Sequence, residues 1–279
     1  MRFTKMEGLG NDYIYLNCLE SSPENLPELA RRLSDRHFGV GADGLICIRP
    51  GRGGDFSMEM YNADGSRGTM CGNGIRCVGK YVYDRGLTRK VCLTIDTDAG
   101  PRGLELHVWG GQAEQVTVDM GPVRTGKPLP VEAEGERFAV IPADAGNPHG
   151  VIFCPDPEKI DLARLGPALE CHPALGERRN IEFAACPNRE HLVLRVWERG
   201  SGITLACGTG ACAAFTAALR ENRCERQVSA RLPGGRLTLE LRGEHVFMTG
   251  PARTVFEGEI SSSDLTPSDA PMPESGKFA

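Results

Sequence analysis

Two Cys-Gly-x-Gly segments constrain this chain more than any other feature. The first is Cys71-Gly72-Asn73-Gly74; the second, 136 positions further on, is Cys207-Gly208-Thr209-Gly210. At the same offset Gly10-Asn11 falls on Gly146-Asn147, and Asn62, nine residues before Cys71, falls on Glu198, nine residues before Cys207. Further along the offset is 129, where Met120-Gly121-Pro122-Val123-Arg124 matches Thr249-Gly250-Pro251-Ala252-Arg253. A duplication with one shortened loop reads this way. The period is too long for a solenoid, so the pattern predicts two similar domains facing each other. The length of 279 residues agrees, since about 150 residues per domain is the usual prior.

The local pattern in each half is alike. After the first Cys-Gly-x-Gly, Ile75, Val78, Gly79 and Val82 form an i, i+3, i+4, i+7 stripe; after the second, Ala211, Ala214, Phe215 and Ala218 do the same. Gly86 and Asn222 are plausible C′ residues for these helices. Short β-like runs surround them at 14–16, 45–48, 91–95, 116–118, 192–196 and 237–241. A second helix per half is expected near 26–33 and 160–169. Mixed strands with two helices per half point to an α+β fold. The stretch 124–136, with Gly126, Pro128, Pro130 and Gly135, reads as an inter-domain linker. Residues 261–279 are rich in Ser, Pro and Asp and are expected to be disordered.

Composition removes several function classes. A net charge of −5 argues against a nucleic-acid footprint and against a polybasic membrane anchor. No apolar run approaches the ~18 residues that span a bilayer, and no secretory signal is recognisable at the start. The expectation is a cytoplasmic protein. The 11 cysteines form no regular framework and contain no C-x-x-C pair. They read as reduced thiols, most of them buried as small hydrophobes, with one or two kept for chemistry.

Cys71 and Cys207 are the candidates for that chemistry. Each precedes a predicted helix whose first free N–H groups carry partial positive charge. Such a position biases a thiol toward thiolate and can also hold a carboxylate. Two such sites from facing repeats would set two thiols on opposite sides of one carbon. That arrangement suits stereoinversion at an amino-acid α-carbon: one thiolate removes the α-proton and the other thiol returns a proton to the opposite face. Preorganised N–H donors would stabilise the charge developing on the carboxylate. Metal binding is a weak alternative, because Cys77 and Cys212 lie inside the helices and no His stands at zinc-type spacing.

At this point the chain resembles the diaminopimelate epimerase family along its whole length apart from the tail. The matching segments are KMEGLGND (5–12), GVGADG (39–44), YNADGSRGTMCGNGIRC (61–77), GNPH (146–149), RNIEF (179–183) and WERGSGITLACGTGAC (197–212). The resemblance implies two pseudosymmetric domains, each a small β-barrel-like sheet around a central helix, with the active site in the cleft between them. It implies one domain over 1–120, completed by a C-terminal strand near 252–260, and a second over 121–260. It implies interconversion of LL- and meso-diaminopimelate, in lysine and peptidoglycan precursor synthesis, with no cofactor and no metal, by a homodimer. Residue by residue it assigns Cys71 and Cys207 as the acid/base pair, with His149 and Glu198 tuning them. Gly72, Asn73, Gly208 and Thr209 would meet the reacting carboxylate. Asn11, Asn62, Asn147, Asn180, Glu198 and Arg199 would bind the rest of the substrate, Arg199 as a bidentate partner of the distal carboxylate. Two positions depart from the family pattern: Gly44, where many members have Gln, and Glu7, where His, Asn or Gln is more usual.

Two other readings compete. One is a two-cysteine racemase of a different amino acid; Arg199 with Asn62 and Asn180 speaks against it. The other is a thiol redox or binding protein, which the lack of a C-x-x-C dithiol disfavours. Oxidation of the facing thiols remains an expected side property.

Overall fold

The computed structural model of the chain describes residues 1–261; the tail expectation, except for Ser261, lies outside the described residues. In the first half the elements are β1 (Arg2–Gly8), β2 (Asn11–Asn17), α1 (Leu26–Ser34), β3 (Gly44–Pro50), β4 (Phe56–Asn62), β5 (Arg67–Gly68), α2 (Gly72–Asp84), β6 (Cys92–Asp96), β7 (Arg102–Trp109) and β8 (Gln112–Pro122). The second half has β9 (Arg124–Thr125), β10 (Leu129–Ala133), β11 (Glu136–Asp144), β12 (Pro148–Phe153), α3 (Leu162–Glu170), β13 (Asn180–Asn188), β14 (His191–Glu198) and β15 (Gly202–Thr204). It continues with α4 (Gly208–Arg220), β16 (Gln227–Leu232), β17 (Gly235–Arg242), β18 (His245–Pro251) and β19 (Arg253–Glu259).

The duplication is visible in the strand pairing. β1 runs antiparallel to β2, β2 parallel to β3, and β3 antiparallel to β4. β11, β12, β13 and β14 repeat that order and those directions. β4 pairs parallel with β6, and β14 parallel with β16. The halves are stitched where β8 and β18 pair antiparallel, with Val118 opposite Met248. Two short exchanges strengthen the seam. The strand after β18, β19, pairs with β1 at the start of the chain, and the strand after β8, β9, pairs with β11.

The two central helices form for the same local reason. Cys71 and Cys207 are extended N-cap residues whose sulfurs accept the Gly74 and Gly210 N–H groups, both at 3.3 Å. Gly86 and Asn222 end them at φ 68° and 53°, the left-handed C′ conformation the sequence suggested. Both helices are buried nearly all round and sit inside the fold, α4 with an almost wholly apolar surface and α2 with Asn73, Arg76 and Lys80 among its buried residues. One continuous core joins Ile75 and Val78 of α2 to Ala211 and Phe215 of α4 through Val116, Leu237 and Met248. Smaller clusters lie under α1 and under α3.

The expectation of a linker over 124–136 is corrected. β10 pairs with β11, and Val131 and Ala133 are buried against α3 and Phe183. Among the described residues β10 pairs with no other strand, and on such an edge Pro130 is tolerated. The prolines that suggested a linker mark an edge strand. Of the other expected runs, only Val91 falls outside its strand.

Candidate active site

The N-termini of α2 and α4 meet. A Cβ added to Gly208 would lie 3.7 Å from the Cα of Gly72, and the Asn73 side-chain amide donates to the Ala206 carbonyl at 3.3 Å. The packing is close: a Cβ on Gly72 would come within 2.9 Å of Met248 Cε, so the methionine tip would have to move aside. The two thiols therefore cap adjacent, converging helix ends.

Their surroundings differ. On the first side the Cys71 S–H donates to Asn11 Oδ1 at 3.1 Å, and the Asn11 amide donates to Asp43 Oδ2 at 2.7 Å. Asp43 also accepts the Asp12 N–H at 3.1 Å and pairs with Arg36, so it fixes the strand end that presents Asn11. On the second side His149 is fully buried between Glu182 (Nδ1 to Oε1, 2.7 Å) and Asn147 (Nε2 to Oδ1, 2.9 Å). Glu182 is itself fully buried, and its Oε1 lies 2.6 Å from the position of a Cβ on Gly210. That places a carboxylate–imidazole pair beside Cys207. The Thr209 hydroxyl stands 3.5 Å from the Cys207 sulfur.

The electrostatics correct one expectation. Burial pushes the Cys71 thiol up, against the N–H groups of Gly74 and Asn73 that favour its thiolate, and the nearby Glu198 carboxylate adds to the rise. Burial pushes Cys207 well up, with Glu198 and Glu182 raising it further. The helix N-termini do favour thiolate, but in the substrate-free site desolvation and two carboxylates outweigh them. Glu198 is also raised, by burial first, while the Thr204 hydroxyl that donates to its Oε1 at 2.6 Å opposes the rise.

The remaining predicted residues lie around this centre. Asn180 is buried, opposite His149 in the β12–β13 register, and its Oδ1 accepts the Arg199 N–H at 2.8 Å. The Arg199 side chain is exposed and donates to the Arg178 carbonyl at 3.2 Å. Asn62 ends β4 and donates to the Ser66 hydroxyl at 2.9 Å. Asn62 and Arg199 thus stand further out, each held by a local partner. Both departures have structural explanations. A Cβ on Gly44 would run into the Tyr61 carbonyl and lie 2.8 Å from Tyr13 Cε1, so this β3–β4 packing excludes a side chain at 44. Glu7 accepts the Gly10 N–H at 2.8 Å and so braces the β1–β2 turn that presents Asn11.

Sequence reasoning missed Glu182 and Asp43. Both sit within the quoted RNIEF and GVGADG segments, where each looks like an ordinary strand or turn residue. Among the described residues no group of three or more His, Cys, Asp or Glu side chains is placed to share a metal ion. Among them, too, no helix is long and apolar enough to cross a membrane.

Solved structures at low sequence identity share this two-part fold. A probable proline racemase from Agrobacterium radiobacter superposes with a TM-score of 0.74, at 14% identity over 96% of this chain and 94% of that one. A PhzF-family phenazine biosynthesis protein from Bacillus anthracis gives 0.69, at 15% identity over 94% of this chain and 99% of that one. The sequence is more specific. The family model described as diaminopimelate epimerase matches residues 3–126 and 142–255. A diaminopimelate epimerase of Acetivibrio thermocellus is 49% identical over 280 residues, covering 95% of this chain and 100% of that protein. One of Phocaeicola vulgatus is 47% identical, over 93% and 98%. The chain belongs to the diaminopimelate epimerase family, a family of isomerases.

Proposed function

We propose that the chain interconverts LL- and meso-diaminopimelate by two-base proton transfer at one α-carbon, with Cys71 and Cys207 as the bases, on the route to lysine and peptidoglycan precursors. The observation that carries this reading is the abutment of two thiol-capped helix N-termini at Gly72 and Gly208. A carboxylate seated there meets the free N–H groups around Gly72, Asn73, Gly208 and Thr209, with its α-carbon between the thiols. In one direction Cys71 as thiolate takes the α-proton while the Cys207 thiol gives one to the opposite face; in the other the roles exchange. One C–H bond breaks, one forms, and the cysteines end with their protonation states swapped.

The reacting ammonium supplies the positive charge that the two raised thiols lack in the empty site, and Glu198 is placed to hold it. His149, fixed by Glu182, and Asn147 bound the second side. Asn11 fixes the first thiol, while Asn62, Asn180 and Arg199 serve the distal zwitterion. A site with these groups left unpaired rejects an amino acid without that second head. The cleft divides a domain over 1–120, completed by β19, from one over 121–260. We read the protein as a cytoplasmic homodimer, a state that light scattering of the purified chain measures.

Proton exchange in D2O, followed by NMR with reductant present and no cofactor added, tests the reaction. Deuterium should enter one α-carbon of LL-diaminopimelate as meso product appears, and Cys71→Ala and Cys207→Ala should abolish epimerisation. Exchange on a different amino acid would overturn the substrate; an active Cys→Ala variant would overturn the mechanism.

A further inference from the structure

Arg76 is a fully buried side chain. It extends from α2 beneath the helix junction. Its Nη1 donates to the Gly72 carbonyl at 3.1 Å and its Nε to the Pro251 carbonyl at the end of β18, also at 3.1 Å. Its Nη2 has no hydrogen-bond partner. Neither bonded group is a carboxylate, so the charge sits in the core on neutral acceptors, with the Glu7 carboxylate of β1 acting on it only without a hydrogen bond, an arrangement that is costly unless it serves something. The fold makes room for it. A Cβ on Gly8 would lie 2.9 Å from Nη2, and one on Gly250 would lie 3.1 Å from Nε.

The duplication sharpens the observation. At the offset that relates Cys71 to Cys207, the counterpart of Arg76 is Cys212. The second repeat has an uncharged thiol where the first has a guanidinium, so the cation breaks the symmetry of the pair. The groups that face Cys71 are Tyr13 and Tyr15 of β2, Arg76 and Cys77 of α2, and Glu198 of β14. The groups that face Cys207 are Glu182 of β13 and Glu198 of β14, with the Thr209 hydroxyl. Glu198 faces both thiols; Cys71 alone has a guanidinium on its own helix, bonded to the carbonyl of the next residue, and Cys207 alone has Glu182.

We propose that Arg76 is a positioning residue that ties the N-terminus of α2 to β18 and acts as a fixed counter-charge, making Cys71 the more easily ionised thiol of the pair. In the substrate-free protein Cys71 is then the first base and Cys207 the first acid. The proposal rests on the two-cysteine reading for its meaning in catalysis. Its test does not depend on that reading, because thiol ionisation is measured without substrate.

The test is alkylation by iodoacetamide as a function of pH, resolved by peptide mass spectrometry. Cys71 is followed in Cys207→Ser and Cys207 in Cys71→Ser, each with Arg76, Arg76→Lys and Arg76→Gln. The midpoint pH is compared, since access alters the rate and not the midpoint. With Arg76 present, Cys71 should ionise at lower pH than Cys207. Arg76→Gln should raise the Cys71 midpoint by about one pH unit, a tenfold loss of thiolate at fixed pH, and move Cys207 by less than half as much. Arg76→Lys should recover most of the Cys71 shift, which a purely structural role would not predict. Equal shifts at both thiols, no shift at either, or a lower midpoint at Cys207 with Arg76 intact would overturn it. The last comparison needs no Arg76 variant and stands even if Arg76→Gln does not fold. Absence of diaminopimelate turnover, by contrast, bears only on the proposed function.

Discussion

Gly74 and Gly210 occupy the same position in the two repeats, the third residue after each thiol, and alanine at the two sites should behave differently. A Cβ at Gly210 would lie 2.6 Å from Glu182 Oε1 and 3.2 Å from the Cys207 sulfur. Ordinary contact begins at 3.4 Å, so the Glu182 carboxylate must retreat by about 0.8 Å. It has nowhere to go, being fully buried and tied to His149. Overpacking of this kind costs about 1–3 kcal/mol, and alanine returns about 1 kcal/mol as the better helix former. The net loss of stability for Gly210→Ala is therefore about 0–2 kcal/mol. Its activity should fall much further, since a displacement of about 1 Å can cost a hundredfold in rate. At Gly74 the Cβ would meet Ile46 Cδ1 at 2.7 Å, the free end of an apolar side chain, and the Cys71 sulfur at an ordinary 3.6 Å. Gly74→Ala should show a similar stability change with turnover within a few-fold of wild type. Urea denaturation measures the first quantity and α-proton exchange the second. Wild-type exchange in Gly210→Ala, or a larger loss in Gly74→Ala, would refute the placement of Glu182 and His149 beside Cys207.

Two further predictions concern charge. Because burial raises both thiols above the ordinary cysteine range, kcat/KM should climb with pH through and above neutrality. Stability should move the opposite way: above about pH 9 the unfolded chain has lost thiol protons that the native state keeps, so unfolding becomes easier as pH rises. Parallel pH profiles of exchange and thermal melting check both signs, and a melting temperature that rises from pH 8 to 10 would contradict the second. Arg36 joins Asp12 and Asp43, 2.9 Å from each; Arg36→Ala leaves the two carboxylates facing each other and loosens the support of Asn11. The pairs are partly exposed, so the loss should be about 1 kcal/mol or less, read as a small fall in denaturation midpoint, with a raised KM.

The frame of this fold was legible because its signals are local. Cys71 and Cys207 cap helices through their own third-neighbour N–H groups, and Gly86 and Asn222 end those helices by backbone conformation; both are short-range effects that a sequence displays. The 124–136 segment was misread because Pro128, Pro130 and Gly135 are turn signals wherever they occur, and only pairing with β11 reveals an edge strand. The Val131–Ala133 alternation was present but too short to outweigh two prolines. Glu182 escaped for a different reason. Its neighbours in the chain are Ile181 and Phe183, and its value lies in His149 and Cys207, residues 33 and 25 positions away in the sequence. The ionisation of the thiols was misjudged because the helix N-terminus is visible in sequence, whereas desolvation and the converging Glu182 and Glu198 carboxylates exist only once the halves close on each other.

That closure is what would let a duplicated chain carry out the proposed reaction, which needs two different partners. Stereoinversion by two bases requires a base on one face and an acid on the other at the same instant. Two identical halves would supply two groups of equal ionisation. Here the capped helices are alike, while the side chains around the two thiols are not. Around Cys71 stand Asn11, Tyr13 and the Arg76 guanidinium; around Cys207 stand Glu182, paired with His149, and Glu198. For the proposed reaction the shared geometry would fix where the proton leaves and arrives, and the unequal surroundings which thiol ionises more readily. In the proposed reaction each turnover exchanges those states, so the enzyme that released meso product differs by one proton position from the one that bound the LL form. A difference in ionisation that is too large would trap one of the two protonation states. N–H groups oppose burial at both thiols, while the Arg76 cation on the Cys71 side and the Glu182 carboxylate on the Cys207 side set the two apart, a gap that the charge of the bound substrate would have to bridge.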